Sequence, residues 1–313
     1  LYVERLQPFA AELEARVESG RINIIRNADQ LLEAIEFLSG TTRQRIMAQA
    51  RLSAAGEYAV PPLLREMFAS SDARTTRMVS KMLTDIGGDA VLPLSIALPH
   101  LSGESQVVVC RVLGDIGYKH AAPALLMLAQ SENVTPAVVQ AASKALAAIQ
   151  IDADSNLSTQ QTVVAGRFFD GQDSVIPTSI AGINNFWIWD EMYGLETRDV
   201  PSAVFDDVMA MYYAAAALAT DPQNESAMSI FVASNLRRDR ELSGEEDIVY
   251  GNLAYSPEFY ATVFGPEVAS DVLRIALERR DTPLAHDAIA ALARTAGAAA
   301  AVTGSDRPLV NAM

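Results

Sequence analysis

Few residues of this chain could carry chemistry, and their spacing defines no reaction. There are three histidines, His100, His120 and His286, and one cysteine, Cys110. No histidine has a second His, a Cys or a Glu at ligand spacing, so each reads as a helix-end or surface residue. Cys110 lies in an apolar run and reads as a small core residue. A single thiol builds neither an internal disulfide nor a cysteine metal cluster. Serines and aspartates are plentiful, but no base is paired with them, so no triad is arguable. There is no Gly-rich phosphate loop, Gly-x-Ser-x-Gly elbow or His-Glu-x-x-His. Glu245 and Glu246 are adjacent acids in an acidic loop and read as solvated. Asp152-Ala-Asp154-Ser-Asn156 opens like a calcium loop, yet Leu157 stands where Gly is needed and Val163 where Glu is needed. It reads instead as a polar connector that caps a helix starting near Ser158. The expectation is a chain that is not an enzyme, with no catalytic residue, no cofactor and no metal site.

Two constellations suit binding. Lys81, Arg111 and Lys144 each stand two residues before the closing leucine of a repeated phrase. Stacking of the repeats would align them in a basic column, with Arg74 and Arg77 on the same helix face as Lys81, as a stripe for an acidic peptide or partner. The competing reading is local pairing, because Lys81 has Asp85, and Arg111 has Asp115, four residues on. Lys144 has no such neighbour. Trp187 and Trp189 are both tryptophans of the chain and share one face of a short strand. They either anchor a partner or bury themselves on the nearest helices.

Composition narrows the class. Half of the 313 residues are hydrophobic, which supports a packed core, and abundant Ala favours helices over sheet. With 39 acidic against 24 basic residues the net charge is −15. That balance argues against nucleic acid and against an anionic membrane surface. No apolar run approaches the roughly 20 residues of a membrane-spanning helix. The chain starts at Leu1 and closes on Pro308-Leu-Val-Asn-Ala-Met313, which looks like the opening of a further helix, so it reads as part of something longer. Compartment, oligomeric state and partner identity are not written in these residues.

The positioning elements come from repetition. Leu52-Ser-Ala-Ala-Gly56, Leu83-Thr-Asp-Ile-Gly87 and Leu113-Gly-Asp-Ile-Gly117 place glycines 31 and then 30 residues apart, each followed six residues later by a proline. A period in that range marks stacked supersecondary units. Each copy opens a helix near Val60, Val91 or Ala121 with its proline in the first turn. It turns at Ser70, Ser102 or Ser131 and closes a second helix on the phrase. The glycine is expected at positive φ as the stop. A third copy closes at Ala142, Ala145, Leu146 and Ile149, with Gln150 in the glycine's place. Before the repeats, helices are expected at 2–19 with Gly20 as stop, at 28–38 with Leu31, Leu32, Ile35 and Leu38 on one face, and at 42–54. After them, residues 184–200 read as two short strands around a turn. Helices follow at 201–220, 225–238, 257–264, 266–279 and 282–295, the last closing in Ala293-Arg-Thr-Ala-Gly297, a faint echo of the repeated phrase.

The phrase and its period resemble HEAT repeats in the short form of the phycobilisome-lyase-like subset, over residues 41–150. The arginine that often braces HEAT units has a counterpart only in Arg45; Thr76, Gln106 and Val139 hold the later slots. Ala217-Leu-Ala-Thr-Asp-Pro222-Gln-Asn224, with Ala227 and Phe231 after it, resembles the closing turn of a tetratricopeptide repeat, with Asn235 in place of the usual aromatic. The chain as a whole is similar to large uncharacterised bacterial proteins that mix these repeats. The expected fold is all-α, an α-solenoid of antiparallel helix hairpins with a small β-hairpin insertion near 184–200. The expected divisions are 1–40, 41–150, 151–200 and 201–313. The resemblance implies a scaffold that holds another protein or peptide on a concave surface, without nucleic acid or membrane insertion. Its alternatives are chromophore attachment like that of the lyases, and a small-ligand site at the tryptophan hairpin.

Overall fold

The structure is a computed structural model. It describes residues 13, 16, 20, 27–70, 72–179, 182–242, 248–251, 253 and 255–303, with side chains of the last helix through 295. Most of the expected 2–19 helix, Glu245 and Glu246 and the segment from Pro308 lie outside the described residues, while the last helix continues through Gly297 to Thr303. Gly20, expected as a stop, is itself helical.

The chain is mostly helical, with one two-stranded antiparallel hairpin. It divides into two compact units. The first comprises Leu1–Asp154, Pro177–Ala181 and Trp187–Thr197, and the second Ser155–Ile176, Gly182–Phe186 and Arg198–Met313.

The first unit opens with α1 (Ala28–Phe37) and α2 (Thr42–Ala55). Asn27 caps α1 by accepting from the Gln30 N–H, and Thr41 and Gln44 form a reciprocal capping box on α2. Leu31, Ile35 and Leu38 are buried as expected, but Leu32 is exposed, one step off the stripe. Then come α3 (Val60–Ala69), α4 (Ala73–Ile86), α5 (Val91–Ala97), α6 (Gly103–Ile116), α7 (Ala122–Ala129) and α8 (Pro136–Ala148). Short 3-10 turns at Gly56–Ala59, Gly87–Ala90 and Lys119–Ala121 lead into α3, α5 and α7. Gly56, Gly87 and Gly117 all have positive φ. Gly56 and Gly87, at φ 54°, ψ −126° and φ 75°, ψ −133°, occupy a region open essentially to glycine alone.

The closing leucines Leu52, Leu83, Leu113 and Leu146 are each fully buried, which puts the copies in one register. Burying such a side chain contributes about 2 kcal/mol. Neighbouring helices form two rows. The closing helices α2, α4, α6 and α8 pack each on the next, and so do the opening helices α1, α3, α5 and α7. The glycine turns touch as well. A Cβ on Gly56 would lie 2.8 Å from Asp89 Oδ2, and one on Gly88 3.3 Å from the Tyr118 ring. Arg45 is exposed, while Gln106, in the same slot two copies on, is buried and donates to the Leu98 carbonyl at 3.4 Å.

The second unit holds α9 (Leu157–Phe169), α10 (Phe205–Thr220), α11 (Glu225–Leu242), α12 (Pro257–Val263), α13 (Pro266–Arg279) and α14 (Thr282–Thr303). Asn156 caps α9 by accepting from the Thr159 N–H, as the connector reading of this segment requires. α10 begins at Phe205 rather than at Pro201, which ends the second strand. Phe168 packs between Phe205 and Tyr213 at the centre of α9 and α10. In the Asp-Pro turn, Asn224 accepts from the Ala227 N–H and donates to Ser158 Oγ and Thr162 Oγ1, so one amide starts α11 and fastens it to α9. α11 then packs on α10, α12 and α13.

The strands are β1 (Ile183–Asp190) and β2 (Gly194–Pro201). Asp190 closes the three-residue loop by accepting from the N–H groups of Met192 and Tyr193. Gly194, at φ 80°, supplies the left-handed residue that such loops need. Residues 187–197, the far end of the hairpin, belong to the first unit.

Candidate functional site

The two tryptophans have separate fates. Trp187 is buried, and its indole N–H donates to Glu57 Oε2 at 2.7 Å. Glu57 is itself buried in the 3-10 turn Gly56–Ala59, so this bond fixes the hairpin's end on the turn that leads into α3. Trp189 stays half-exposed, its ring stacked on His100 at 5.2 Å with 8° between the planes. His100 ends the 3-10 turn Leu98–His100 and is exposed; its Nδ1 lies 3.8 Å from Glu191 Oε1. His286 is exposed too, whereas His120 stands at a helix end, in the 3-10 turn Lys119–Ala121, and is buried edge-on against Tyr118, the helix-end rather than the surface alternative of its reading.

Three cavities of the first unit run together along α3. The largest, about 820 Å³, is bounded by Phe68, Arg77, His100, the first turn of α6 and Trp189. A narrow one of about 120 Å³ shares Phe68 and Trp189 with it and adds Tyr193 and Arg65. A third, about 440 Å³, shares Pro61, Arg65 and Leu195 with the second and adds Tyr58, Leu32 and Trp187. Pro61 and Pro62 sit in the first turn of α3, where their missing N–H groups cost no helical bond. The result is one trough walled by α3 on one side and by the hairpin's end on the other. Phe68 is 42 % exposed and Tyr193 66 % exposed along it.

The basic candidates separate. Arg77 lies in the largest cavity, its Nε donating to the Ala73 carbonyl. Among the described residues neither Arg77 nor Arg65 has a carboxylate at ion-pair distance. Glu104 and Glu196 also line the trough. Arg74 is exposed on α4 outside these cavities. Lys81 pairs with Asp85 at 3.0 Å. Arg111 and Lys144 line a different groove of about 280 Å³ between α6 and α8, together with Asp115. Arg111 makes no ion pair with Asp115 among the described residues. The structure therefore joins Arg77 to Trp189 and Arg111 to Lys144, and leaves Lys81 in a local pair.

Cys110 is fully buried, and burial pushes its thiol up to about 12, so it stays protonated at neutral pH and is a poor nucleophile. Asp152 Oδ1 accepts from the Asp154 N–H, and this segment serves as turn and cap.

Phe68 and Arg65 were not singled out by sequence; His100 was read only as a helix-end or surface residue, and Tyr193 only as part of the hairpin. Comparison of the chain with protein-family models, curated proteins and solved structures returned no match.

Proposed function

We propose that the chain is a non-catalytic scaffold that holds a segment of another protein, built as an α-solenoid of HEAT-like and then tetratricopeptide-like helix pairs. The observation that carries this reading is the common register of Leu52, Leu83, Leu113 and Leu146, each fully buried, with opening and closing helices packed in two rows. Units of this kind cannot bury their apolar faces alone, and stacking them leaves long side-chain-lined surfaces. The trough along α3 is one such surface and the groove holding Arg111 and Lys144 is another.

A second reading, a small-ligand site, is favoured by the cavity of about 820 Å³ beside Trp189, a size suited to a compact organic molecule. Chromophore attachment draws no support from Cys110, whose thiol is buried. The deciding experiment places a photoreactive phenylalanine analogue at position 68 and, for comparison, at position 289, which is also exposed. Crosslinking of one protein at position 68, reproduced with purified components, supports the scaffold. A crosslinked small molecule, or no adduct at either position, defeats it.

A further inference from the structure

We infer that the trough along α3 seats an extended segment of a partner protein carrying an apolar side chain next to an acidic one. The apolar side chain lies between Phe68 and Trp189, and its carboxylate neighbour points to Arg77. This rests on the scaffold reading and specifies its ligand.

Shape selects an extended chain. α3 has 10 residues and is therefore about 15 Å long, which four or five extended residues span. The middle cavity, about 120 Å³ and pinched between Phe68, Trp189 and Tyr193, admits a backbone or one side chain. A helix with side chains is about 10 Å across and would need more room than this cavity's volume gives.

Side chains select the content. Tyr58, Phe68, Trp189 and Tyr193 offer ring faces and edges along the trough. Rings of this kind bind apolar and proline side chains at small entropic cost, because each has only two side-chain torsions. Trp189 is already held flat by its stack on His100, so little further ordering is needed when a ligand ring or aliphatic group covers it.

Charge selects the neighbour. The chain carries −15 overall, yet Arg65 and Arg77, both on this trough, have no carboxylate partner among the described residues. A guanidinium so placed takes a carboxylate in a bidentate, charge-assisted bond. Ser102 and Ser105, at the start of α6, line the same cavity, and Ser102 makes no side-chain cap there, so the helix start favours negative charge. Glu104, in that first turn, opposes a second acid at this end. It limits the ligand to one carboxylate near Arg77.

The test uses the full chain and two acetylated, amidated hexapeptide pools. One is fixed as an apolar residue followed by Asp at its centre, and the other as the same apolar residues followed by Lys. Binding is read by titration calorimetry and by tryptophan emission. The Asp pool is expected to bind at least 10-fold more tightly and to shift the emission. Arg77→Ala should remove that preference, and Phe68→Ser should weaken both pools at least 10-fold. Both positions are exposed, and unchanged thermal melts confirm folding of the variants. Equal affinity for the two pools overturns the inference, as does an Asp preference that survives Arg77→Ala. Binding that is lost in Arg111→Ala and Lys144→Ala but kept in Arg77→Ala also overturns it and leaves the scaffold reading standing, with the seat in the other groove. If neither pool binds and no protein crosslinks at position 68, both readings fail.

Discussion

Three helix ends show how single residues set the local energy. α8, α9 and α13 all finish in the same double-bonded turn. The Ile151 N–H bonds the Leu146 carbonyl and Gln150 that of Ala147. Gln172 and Gly171 repeat the pattern after α9, and Asp281 and Arg280 after α13. The turn needs a left-handed residue, and Gly171 supplies it freely at φ 60°. Gln150 at φ 61° and Arg280 at φ 58° adopt it with a Cβ in the way. Replacing either by glycine is expected to raise stability by about 0.5–1 kcal/mol, and urea melts of the two variants check this. Asp207 presents the opposite problem. It is fully buried and both its oxygens lack hydrogen bonds. Burial raises its pKa well above the usual carboxylate value. Asp206 and Glu241 add to the rise, and Arg237, 3.2 Å away, only partly offsets it. Arg237 is shared with Asp206 and with the Phe169 carbonyl, so burial prevails. The native state thus holds a proton that the unfolded chain has lost above about pH 4. Stability from this group is complete below that pH and declines as pH rises through the raised native value. Asp207→Asn should match the parent at pH 4 and be the more stable of the two at pH 8. Urea melts across that range that stay parallel for the two proteins would contradict this. Asp206 and Glu241 are displaced in the same direction, so some pH dependence remains in the variant.

Helix contacts carry the next level of specificity. A Cβ on Gly114 in α6 would lie 2.9 Å from the Ala145 Cα of α8, while one on Gly166 in α9 would meet only Ile230 Cδ1 at 3.8 Å. An exposed helix gains about 1 kcal/mol when alanine replaces glycine. Gly166→Ala should therefore stabilise. Gly114→Ala should destabilise by about 1–3 kcal/mol, because backbone must move apart. Thermal melts of the pair decide whether α6 and α8 lie as close as described. The hairpin gives a second case. Trp187→Phe keeps a ring in place but removes the only donor the indole offers to Glu57. A bond to a charged acceptor contributes about 1.5–3 kcal/mol, and a chemical melt that shows under 0.5 kcal/mol of loss would mean that packing alone holds the hairpin's end. Such pairings mark where the sequence stops being readable. Positive φ at Gly56, Gly87 and Gly117, a strained residue at Gln150, the prolines in first turns and the strands around 191–193 all follow from local rules. Strand alternation put Trp187 and Trp189 on one face but could not tell them apart, since the difference is made by Glu57, 130 residues away. The trough was illegible for the same reason, being assembled from residues 28–32, 58–77, 100–108 and 187–197.

For the whole molecule, the period itself is the testable quantity. The turn at Gly56 touches the turn holding Asp89, and Gly88 touches Tyr118, so each copy meets the next through equivalent positions. If the first unit is a stack of interchangeable pairs, its stability is a sum of intrinsic and nearest-neighbour contributions. Removing residues 87–116 joins Ile86 to Gly117, preserves the phrase Leu-x-x-Ile-Gly and deletes one whole copy. α4 then inherits the interface that α6 makes with α8, and Leu83 inherits the place of Leu113. Both leucines are fully buried; because Thr84 would stand where Gly114 meets Ala145 at close range, the deletion is made together with Thr84→Gly so that the new interface can close. The shortened chain is expected to remain helical by circular dichroism and to unfold cooperatively at a lower midpoint. A deletion of half a period, residues 88–101, removes the opening helix α5 alone and leaves α4 and α6 as two successive closing helices; it should abolish cooperative unfolding. In a closed globule both deletions would be equally destructive, because each would open one shared core. The comparison of the two chains therefore reports on the architecture without any ligand.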